Sequence, residues 1–320
     1  MRKQTKTWLT AAGSLILIGC ILFGGGMSML KWDFTKLSTT KYETKNHAVH
    51  EDFKNISITT DTADIVFVPS ETGETTVVCY EPEHTEHSVT VTDSTLIISV
   101  QNTRKWYEHI SLSFSTPKIT VSMPRGEYGM LLATASTGNV EIPECFKFET
   151  MGISENTGNV TVFSPVLGAV SIKGSTGAIR VENITAGALN LSVTTGSITV
   201  SNIDCKGDAT FNVSTGKTVL TDLTCKNVIS HGDTGSLRMT NVVAAGSFRL
   251  SRSTGDIQLD GSDAAEIFVQ TDTGNVTGTL LSEKVFITQT DTGRVRVPNT
   301  ASGGTCEIRT DTGDIKLDIH

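Results

Sequence analysis

The stretch VQTDTGNVTG at residues 269–278 decides how the rest of the chain is interpreted, because its Asp272-Thr273-Gly274 core recurs. Asp-Thr-Gly also marks aspartic proteases, in which two such loops face each other and their carboxylates share a proton. Here the four Asp-Thr-Gly copies belong to a series of ten Thr-Gly pairs spaced 19 or 20 residues apart. The ten glycines are Gly138, Gly158, Gly177, Gly196, Gly216, Gly235, Gly255, Gly274, Gly293 and Gly313. Equivalent positions of a stacked repeat lie along one edge, so the tripeptide predicts a fold and not a catalytic dyad.

Each repeat has the same pattern around its glycine. The residue before the glycine is always Thr, and the residue before that is Ser, Thr, Asn or Asp. Such short side chains accept hydrogen bonds from nearby backbone N–H groups and stabilise turns, while glycine tolerates positive φ angles. The positions two and four residues after the glycine are apolar, with Thr218 and Gly278 as exceptions. A second corner is predicted six residues after the glycine, at Asn183, Asn202, Asp222, Asn241 and Asn299.

The repeat length and the alternation of apolar and polar residues predict the fold class. Runs such as LNLSVTTGSITVS (189–201) have the period of a β-strand. A coil of 19–20 residues is too short for a βαβ unit, which needs about 30 residues. We therefore predict an all-β protein, a parallel β-solenoid (β-helix) of about ten coils over residues 131–320, stacked at about 4.8 Å. Residues 51–130 are predicted to form an N-terminal β region and cap, with Ala63 at the glycine position of a degenerate coil. The last coil, which ends at His320, is expected to be an uncapped edge.

The N-terminal segment predicts one transmembrane helix. Residues 1–7 form a short basic tail, residues 8–30 carry no charge, and residues 31–50 read as a polar juxtamembrane linker. An uncharged stretch of this length can span a bilayer, so we expect a single-pass protein of the cell membrane with an extracytoplasmic body. A lipoprotein signal ending at Cys20 and a cleaved signal peptide remain alternatives.

Three sequence features together resemble a known family. They are the opening TADIVFVPS (62–70), the strand-and-proline element ITVSMPRG (119–126), and the serial Thr-Gly-x-Ile/Val corners that follow them. This combination resembles the putative-adhesin β-strand-repeat family of bacterial cell-envelope proteins, a domain of unknown function. The resemblance covers residues 51–320 and implies a β-solenoid in an envelope context. It brings no catalytic residue with it, because its motifs are structural.

Charge and composition limit the functions that the chain can have. The net charge is −8, and the acidic body has no basic stripe, which argues against nucleic-acid binding. The sequence contains no set of nucleophile, histidine and acid, and no phosphate-binding glycine loop before a helix. We therefore predict that the protein is not an enzyme.

Two candidate binding sites follow from the repeat and from its interruptions. Asp272, Asp291 and Asp311 lie on coils that are consecutive in sequence, so their carboxylates are expected about 5 Å apart. Such a ladder could hold Ca²⁺, which prefers several carboxylate and carbonyl oxygens; the alternative is that each Asp caps its own turn in solvent. No other cofactor is predicted. A possible binding loop for glycan, lipid or protein contains Arg104, Lys105, Trp106 and Tyr107.

The histidines and cysteines match no strong metal signature. His84 and His87 lie among glutamates in EPEHTEHS (81–88), which we interpret as a solvated loop. Cys205 and Cys225 have the same position in adjacent repeats, so they are predicted to stack at a separation that a disulfide tolerates. Paired free thiols are favoured, and a disulfide is the alternative. Cys79, Cys145 and Cys306 have no evident partner.

The sequence favours a membrane-anchored, non-enzymatic cell-surface β-solenoid that presents an adhesin-like or scaffolding surface to a protein or glycan partner. The alternative is an accessory or regulatory component of a bacterial envelope-stress response that binds a membrane-protein partner. A carbohydrate-active enzyme is disfavoured, because no cluster of acids and bases departs from the repeat.

Overall fold

The structure, a computed structural model, describes residues 3–33, 40–83, 85–102 and 115–320. One helix, α1 (Lys3–Met29), precedes a single sheet of 22 strands. The strands are β1 (Tyr42–Val49), β2 (Asn55–Thr62), β3 (Asp64–Pro69), β4 (Thr75–Pro82), β5 (Thr85–Thr92), β6 (Thr95–Asn102), β7 (Lys118–Met123), β8 (Gly126–Thr137), β9 (Val140–Ile142), β10 (Phe146–Thr157), β11 (Val160–Val162), β12 (Val166–Cys205), β13 (Asp208–Cys225), β14 (Asn227–Thr234), β15 (Leu237–Thr254), β16 (Ile257–Asp260), β17 (Asp263–Thr273), β18 (Val276–Leu280), β19 (Lys284–Thr292), β20 (Val295–Arg296), β21 (Gly304–Thr312) and β22 (Ile315–Ile319).

Helix α1 contains the predicted apolar segment. The part Trp8–Met29 is long and apolar enough to cross a membrane, with a mean hydropathy of 1.9. Membrane anchors and signal sequences share these features. The helix begins within the predicted basic tail and ends one residue before the predicted boundary at residue 30.

The repeats form the predicted parallel β-solenoid. Adjacent coils pair in register, as Val193 with Val213 and Val200 with Leu220 show for the coils around Gly196 and Gly216. Within one coil, alternate residues point inward and are buried: Ile179, Val181, Ile184, Ala186, Leu189, Leu191 and Val193. Burying branched aliphatic side chains is the main stabilising contribution, and each coil adds a layer to one continuous core.

The corner glycines are required by close backbone approach as well as by backbone conformation. Gly196 has a φ of 151°, where side chains other than glycine are strained. A Cβ atom added to it would lie 1.8 Å from the carbonyl oxygen of Gly177 in the preceding coil. The same contact recurs at each corner, so the glycines stack as a ladder whose spacing leaves no room for a side chain.

Most side-chain hydrogen bonds at the corners involve the residue after the glycine, although Thr271, Thr290 and Thr310 also donate to glycine carbonyls of neighbouring coils. The Asn139 backbone N–H and side-chain amide both donate to Asp64 Oδ1, at 2.7 and 3.0 Å. Asn159 donates in the same way to Asn139 Oδ1. The sequence predicts this turn-stabilising role for the residue before Thr, but among the described residues that side chain makes no such bond. The accepting side-chain oxygen, such as Asp64 Oδ1 or Asn139 Oδ1, belongs to the neighbouring coil, so each of these hydrogen bonds links one coil to the next.

The second corner was predicted correctly in four of five positions. Asn183, Asn202, Asp222 and Asn241 have positive φ angles between 50° and 57°, a conformation that Asn and Asp tolerate better than other side chains. Asn202 Nδ2 donates to Asn183 Oδ1 at 2.9 Å, which adds another link between coils. Asn299 does not have a positive φ angle.

The N-terminal region forms opening coils and a cap, but their spatial order differs from their order in sequence. β2 and β3 form the degenerate coil and pair in parallel with β8 and β9, so Ala63 aligns with Gly138 as predicted. On their other side they pair in parallel with β6 and β7. β5 then adds to β6, β4 to β7 and β1 to β4, all antiparallel. Residues 42–49, which the sequence predicts as part of the linker, therefore belong to the cap as β1.

The C-terminal end also departs from sequence order. The last coil, β21 and β22, pairs with β17 and β18 on one side and with β19 and β20 on the other. The coil around Gly313 therefore lies between the coils around Gly274 and Gly293. The expectation that the coil ending at His320 forms the open edge is wrong, because the terminal layer is β19 and β20. Three apolar side chains of that layer are exposed: Val285, Ile287 and Val295.

Candidate functional site

A groove of about 350 Å³ crosses the outer face of β14, β15, β17 and β21. Outward-facing residues at two positions of the repeat line it, because strand side chains alternate between the core and solvent. The first row lies six residues before the corner glycine and contains Ile229, Arg249, Phe268 and Glu307. The second row lies four residues before the glycine and contains His231, Ser251, Gln270 and Arg309. We call this surface the outer groove.

The outer groove combines an aromatic ring with charged side chains. The Arg249 guanidinium lies 4.8 Å from the centre of the Phe268 ring, within the range of a cation–π contact. Arg309 Nη2 lies 2.6 Å from Glu307 Oε1, and the Arg309 side chain remains 62% exposed. His231 Nδ1 is hydrogen-bonded to Ser251 Oγ. Two arginines and a histidine therefore face a single glutamate in this groove, on a protein whose net charge is negative.

A row of aspartates borders the outer groove, and it contains the predicted calcium ladder. Asp272, Asp291 and Asp311 are all exposed. Their order along the ladder is Asp272, Asp311, Asp291, because Thr312 pairs with both Thr273 and Thr292. The expectation that Asp272 and Asp291 lie on adjacent coils is therefore wrong. Calcium binding to this row stays a prediction.

The other predicted site residues have different outcomes. Arg104, Lys105, Trp106 and Tyr107, the predicted binding loop, lie outside the described residues, as does His84. Eight of the ten corner glycines have the positive φ angle that the sequence predicts, whereas Gly274 and Gly293 do not. All ten lie against the backbone of a neighbouring coil. Cys205 and Cys225 stack on adjacent coils as free thiols, and burial raises the pKa of Cys225 to about 12.

One cluster was interpreted wrongly from the sequence. Glu81 and His87 do not lie in a solvated loop: the side chains of both are almost fully buried inside the cap, next to Cys79. Across the described ranges, these three residues are the one group of three metal-ligating side chains whose ligand atoms all lie within 4.8 Å of one another. Cys79 and Glu81 are two residues apart, so they lie on the same face if the segment is a strand. Interpreting the segment as a loop hides this relation.

The part of the outer groove on β14, β15 and β17 could have been found from the sequence, because its residues keep fixed distances from the corner glycines of consecutive coils. The place of Glu307 and Arg309 could not, because the last coil pairs out of sequence order. The buried Arg252 gave no such signal. It points into the core, where Thr218 Oγ1 and Ser230 Oγ accept its hydrogen bonds at 3.2 and 3.0 Å. Burial lowers the pKa of Arg252 to about 10. Thr218 departs from the apolar pattern because it serves this guanidinium.

Comparison with known proteins identifies the repeat. The family model described as Toastrack DUF4097 matches residues 53–213 and 205–320, which confirms the family resemblance drawn from the sequence. A search of curated protein sequences gives no significant match.

Three solved structures are similar to this chain over most of its length. A "putative adhesin" from Parabacteroides merdae ATCC 43184 is 12% identical, with 87% of this chain and 96% of that chain covered and a TM-score of 0.47. A "putative adhesin" from Bacteroides fragilis NCTC 9343 is 18% identical, with 87% and 97% covered and a TM-score of 0.36. A "putative lipid binding protein" from Parabacteroides distasonis ATCC 8503 is 16% identical, with 77% and 98% covered and a TM-score of 0.47.

Proposed function

The chain belongs to the Toastrack DUF4097 family, and we propose that it is a membrane-anchored, non-enzymatic β-solenoid of the cell surface that binds a protein or glycan partner. Helix α1 would anchor it in the membrane, and the solenoid would carry the binding surface outside the cell. The observation that carries this proposal is the outer groove, which joins an aromatic ring to charged side chains on four adjacent coils.

The charges around the outer groove favour a protein partner as the first to test. Arg249 and Arg309 stand in the groove, and the exposed Asp272 and Asp311 stand in the neighbouring row. Rows of opposite charge can be matched by charged side chains of a partner, and such complementarity gives specificity and orients the encounter. Arg is also enriched among the residues that dominate binding at interfaces.

The test is photo-crosslinking in intact cells with a crosslinking amino acid at Gln270 in the full-length chain. We expect a discrete crosslinked product that is lost when Arg249→Glu and Arg309→Glu are introduced together. The matched control is Lys316→Glu, which reverses an exposed charge on β22, outside the groove, and should leave the product unchanged.

The same cells test the placement of the body. Protease added outside intact cells should digest the solenoid, whereas protection until lysis contradicts the surface assignment. A crosslink that persists in the double arginine variant, or one lost equally in Lys316→Glu, contradicts the role of the outer groove.

A further inference from the structure

Three buried side chains with metal-ligating atoms meet inside the N-terminal cap. Cys79 and Glu81 are two residues apart on β4 and point to the same side of the strand, and His87 points toward them from β5. Their exposed fractions are 0%, 1% and 2%. The Cys79 sulfur, a Glu81 carboxylate oxygen and a His87 ring nitrogen all lie within 4.8 Å of one another.

Among the described residues, the hydrogen bonds of this cluster do not use the Cys79 sulfur, and Glu81 Oε1 has an ion pair only. Glu81 Oε2 accepts from the His87 backbone N–H at 3.0 Å and lies 2.6 Å from His87 Nδ1. His87 Nε2 lies 3.0 Å from Thr60 Oγ1. Glu81 Oε1 is buried without a hydrogen bond, although Lys45 Nζ lies 3.1 Å away as an ion-pair partner. In the described part of the chain, the Cys79 sulfur has no hydrogen-bond partner either.

We propose that Cys79, Glu81 and His87 form a three-ligand site for a divalent transition metal ion, with zinc as the preferred ion. Thiolate sulfur, imidazole nitrogen and carboxylate oxygen are the donors that zinc uses in proteins, and three protein ligands leave the fourth tetrahedral position to water. Bond lengths of about 2.0–2.3 Å place tetrahedral ligands roughly 3.3–3.8 Å apart. The contact between Glu81 Oε2 and His87 Nδ1, at 2.6 Å, has to lengthen to reach this spacing.

The surrounding groups already hold the ligands in suitable orientations. Zinc binding through His87 Nδ1 leaves the imidazole proton on Nε2, which then donates to Thr60 Oγ1. A hydrogen bond of this kind at the second nitrogen fixes the tautomer of a zinc-binding histidine. The His87 backbone N–H fixes the Glu81 carboxylate. Cys79 binds as the thiolate, and its proton passes to solvent. Two anionic ligands then balance the charge of the ion, with the Lys45 ammonium beside Glu81 Oε1.

A cluster held by hydrogen bonds alone predicts different measurements. In that case Glu81, His87 and Thr60 stabilise the cap without an ion, and Cys79 fills space. Loss of Cys79 would then affect only packing, and zinc would neither copurify with the protein nor change its stability.

The experiment uses the full-length chain, expressed in zinc-supplemented medium without a polyhistidine tag and purified in detergent. We expect about one zinc ion per chain by elemental mass spectrometry. Zinc content should fall to background in Cys79→Ser and in His87→Gln. The matched control is Cys306→Ser, which removes an equally buried thiol from β21 and should keep the metal.

A second measurement begins with the wild-type chain, whose signal does not depend on the folding of any variant. Cobalt(II) added to chelator-treated wild-type protein should give a thiolate-to-metal charge-transfer band, which Cys306→Ser retains and Cys79→Ser loses. Zinc should also raise the melting temperature of the wild-type chain. The proposal is overturned if the wild-type chain holds no zinc above background and shows no cobalt–thiolate band, or if Cys79→Ser binds as much metal as Cys306→Ser.

Discussion

The carboxyl group of Glu155 should make part of the solenoid less stable as the pH rises. Glu155 points into the core from β10, between Ala135 and Gly174 of the neighbouring coils, and is 2% exposed. Its Oε1 accepts a hydrogen bond from the Thr157 N–H at 3.0 Å, and its Oε2 is buried without a partner among the described residues. Burial, together with the charge of Asp64, raises the pKa of Glu155 from 4.5 to about 7.

The sign follows from which form the folded state prefers. The folded protein holds the proton more tightly than the unfolded chain, so the stabilisation is fully present below pH 4.5 and is lost as the pH rises through about 7. At about 1.4 kcal/mol per pKa unit, the loss is at most about 3 kcal/mol. Glu155→Gln keeps the acceptor for the Thr157 N–H and cannot ionise. The free energy of opening of the variant, relative to wild type, should therefore increase by about 3 kcal/mol between pH 4 and pH 8.

Hydrogen exchange measured by mass spectrometry is the suitable assay, because repeat proteins often unfold in parts. For peptides covering β10, the ratio of protection factors between variant and wild type should grow roughly a hundredfold from pH 4 to pH 8. Intrinsic exchange rates change with pH equally in both proteins and cancel in the ratio. Glu141→Gln, at an exposed position on β9, is the control and should show a constant ratio. If the ratio for Glu155→Gln is also constant, the carboxyl is not held neutral in the folded state.

Two further predictions test the corner and the coil order. Gly196→Ala should lower the free energy of unfolding by roughly 1–3 kcal/mol or more, because its Cβ would lie 1.8 Å from the Gly177 oxygen. Gly126→Ala, whose Cβ meets nothing within 4 Å, should cost less than 1 kcal/mol on the scale of surface substitutions; equal shifts in urea denaturation would contradict the steric argument. Cysteine pairs test the order of the last coils. Asp272→Cys with Asp311→Cys should form a disulfide under mild oxidation, since stacked positions are about 4.8 Å apart. Asp272→Cys with Asp291→Cys should not, and a disulfide in that pair would restore the sequential order; mass spectrometry after thiol alkylation distinguishes the two.

The sequence was sufficient to predict the solenoid, because only glycine fits at the corner of each repeat. Each corner glycine abuts the carbonyl of the neighbouring coil, so every coil repeats the requirement and the period becomes visible. The residues that line the outer groove lie at fixed distances before the corner glycines. Arg249 and Phe268 could therefore have been paired by counting back from Gly255 and Gly274.

Other features were hidden because they depend on partners that are distant in sequence. Arg252 occupies an inward position that holds Gly232 and Thr271 in the neighbouring coils, and only the structure shows that Thr218 and Ser230 accept its hydrogen bonds. The cluster of Cys79 and His87 was missed because the segment interpreted as a loop belongs to β4 and β5, whose side chains at these positions point inward. A periodic sequence pattern cannot predict contacts that occur in one coil only.

The coil order could not be read from the sequence, since the coils pair through backbone hydrogen bonds and similar inward side chains, and any two of them fit in register. This order shapes the outer groove. Glu307 and Arg309 lie beside Phe268 and Gln270 because the last coil inserts next to β17. In the sequential order, Ile287 and Gln289, which pair with Glu307 and Arg309 on the far side, would take those places. The groove would then lose its Arg309–Glu307 pair and gain an apolar edge. The cysteine pairs therefore test the composition of the proposed binding surface as well as the topology.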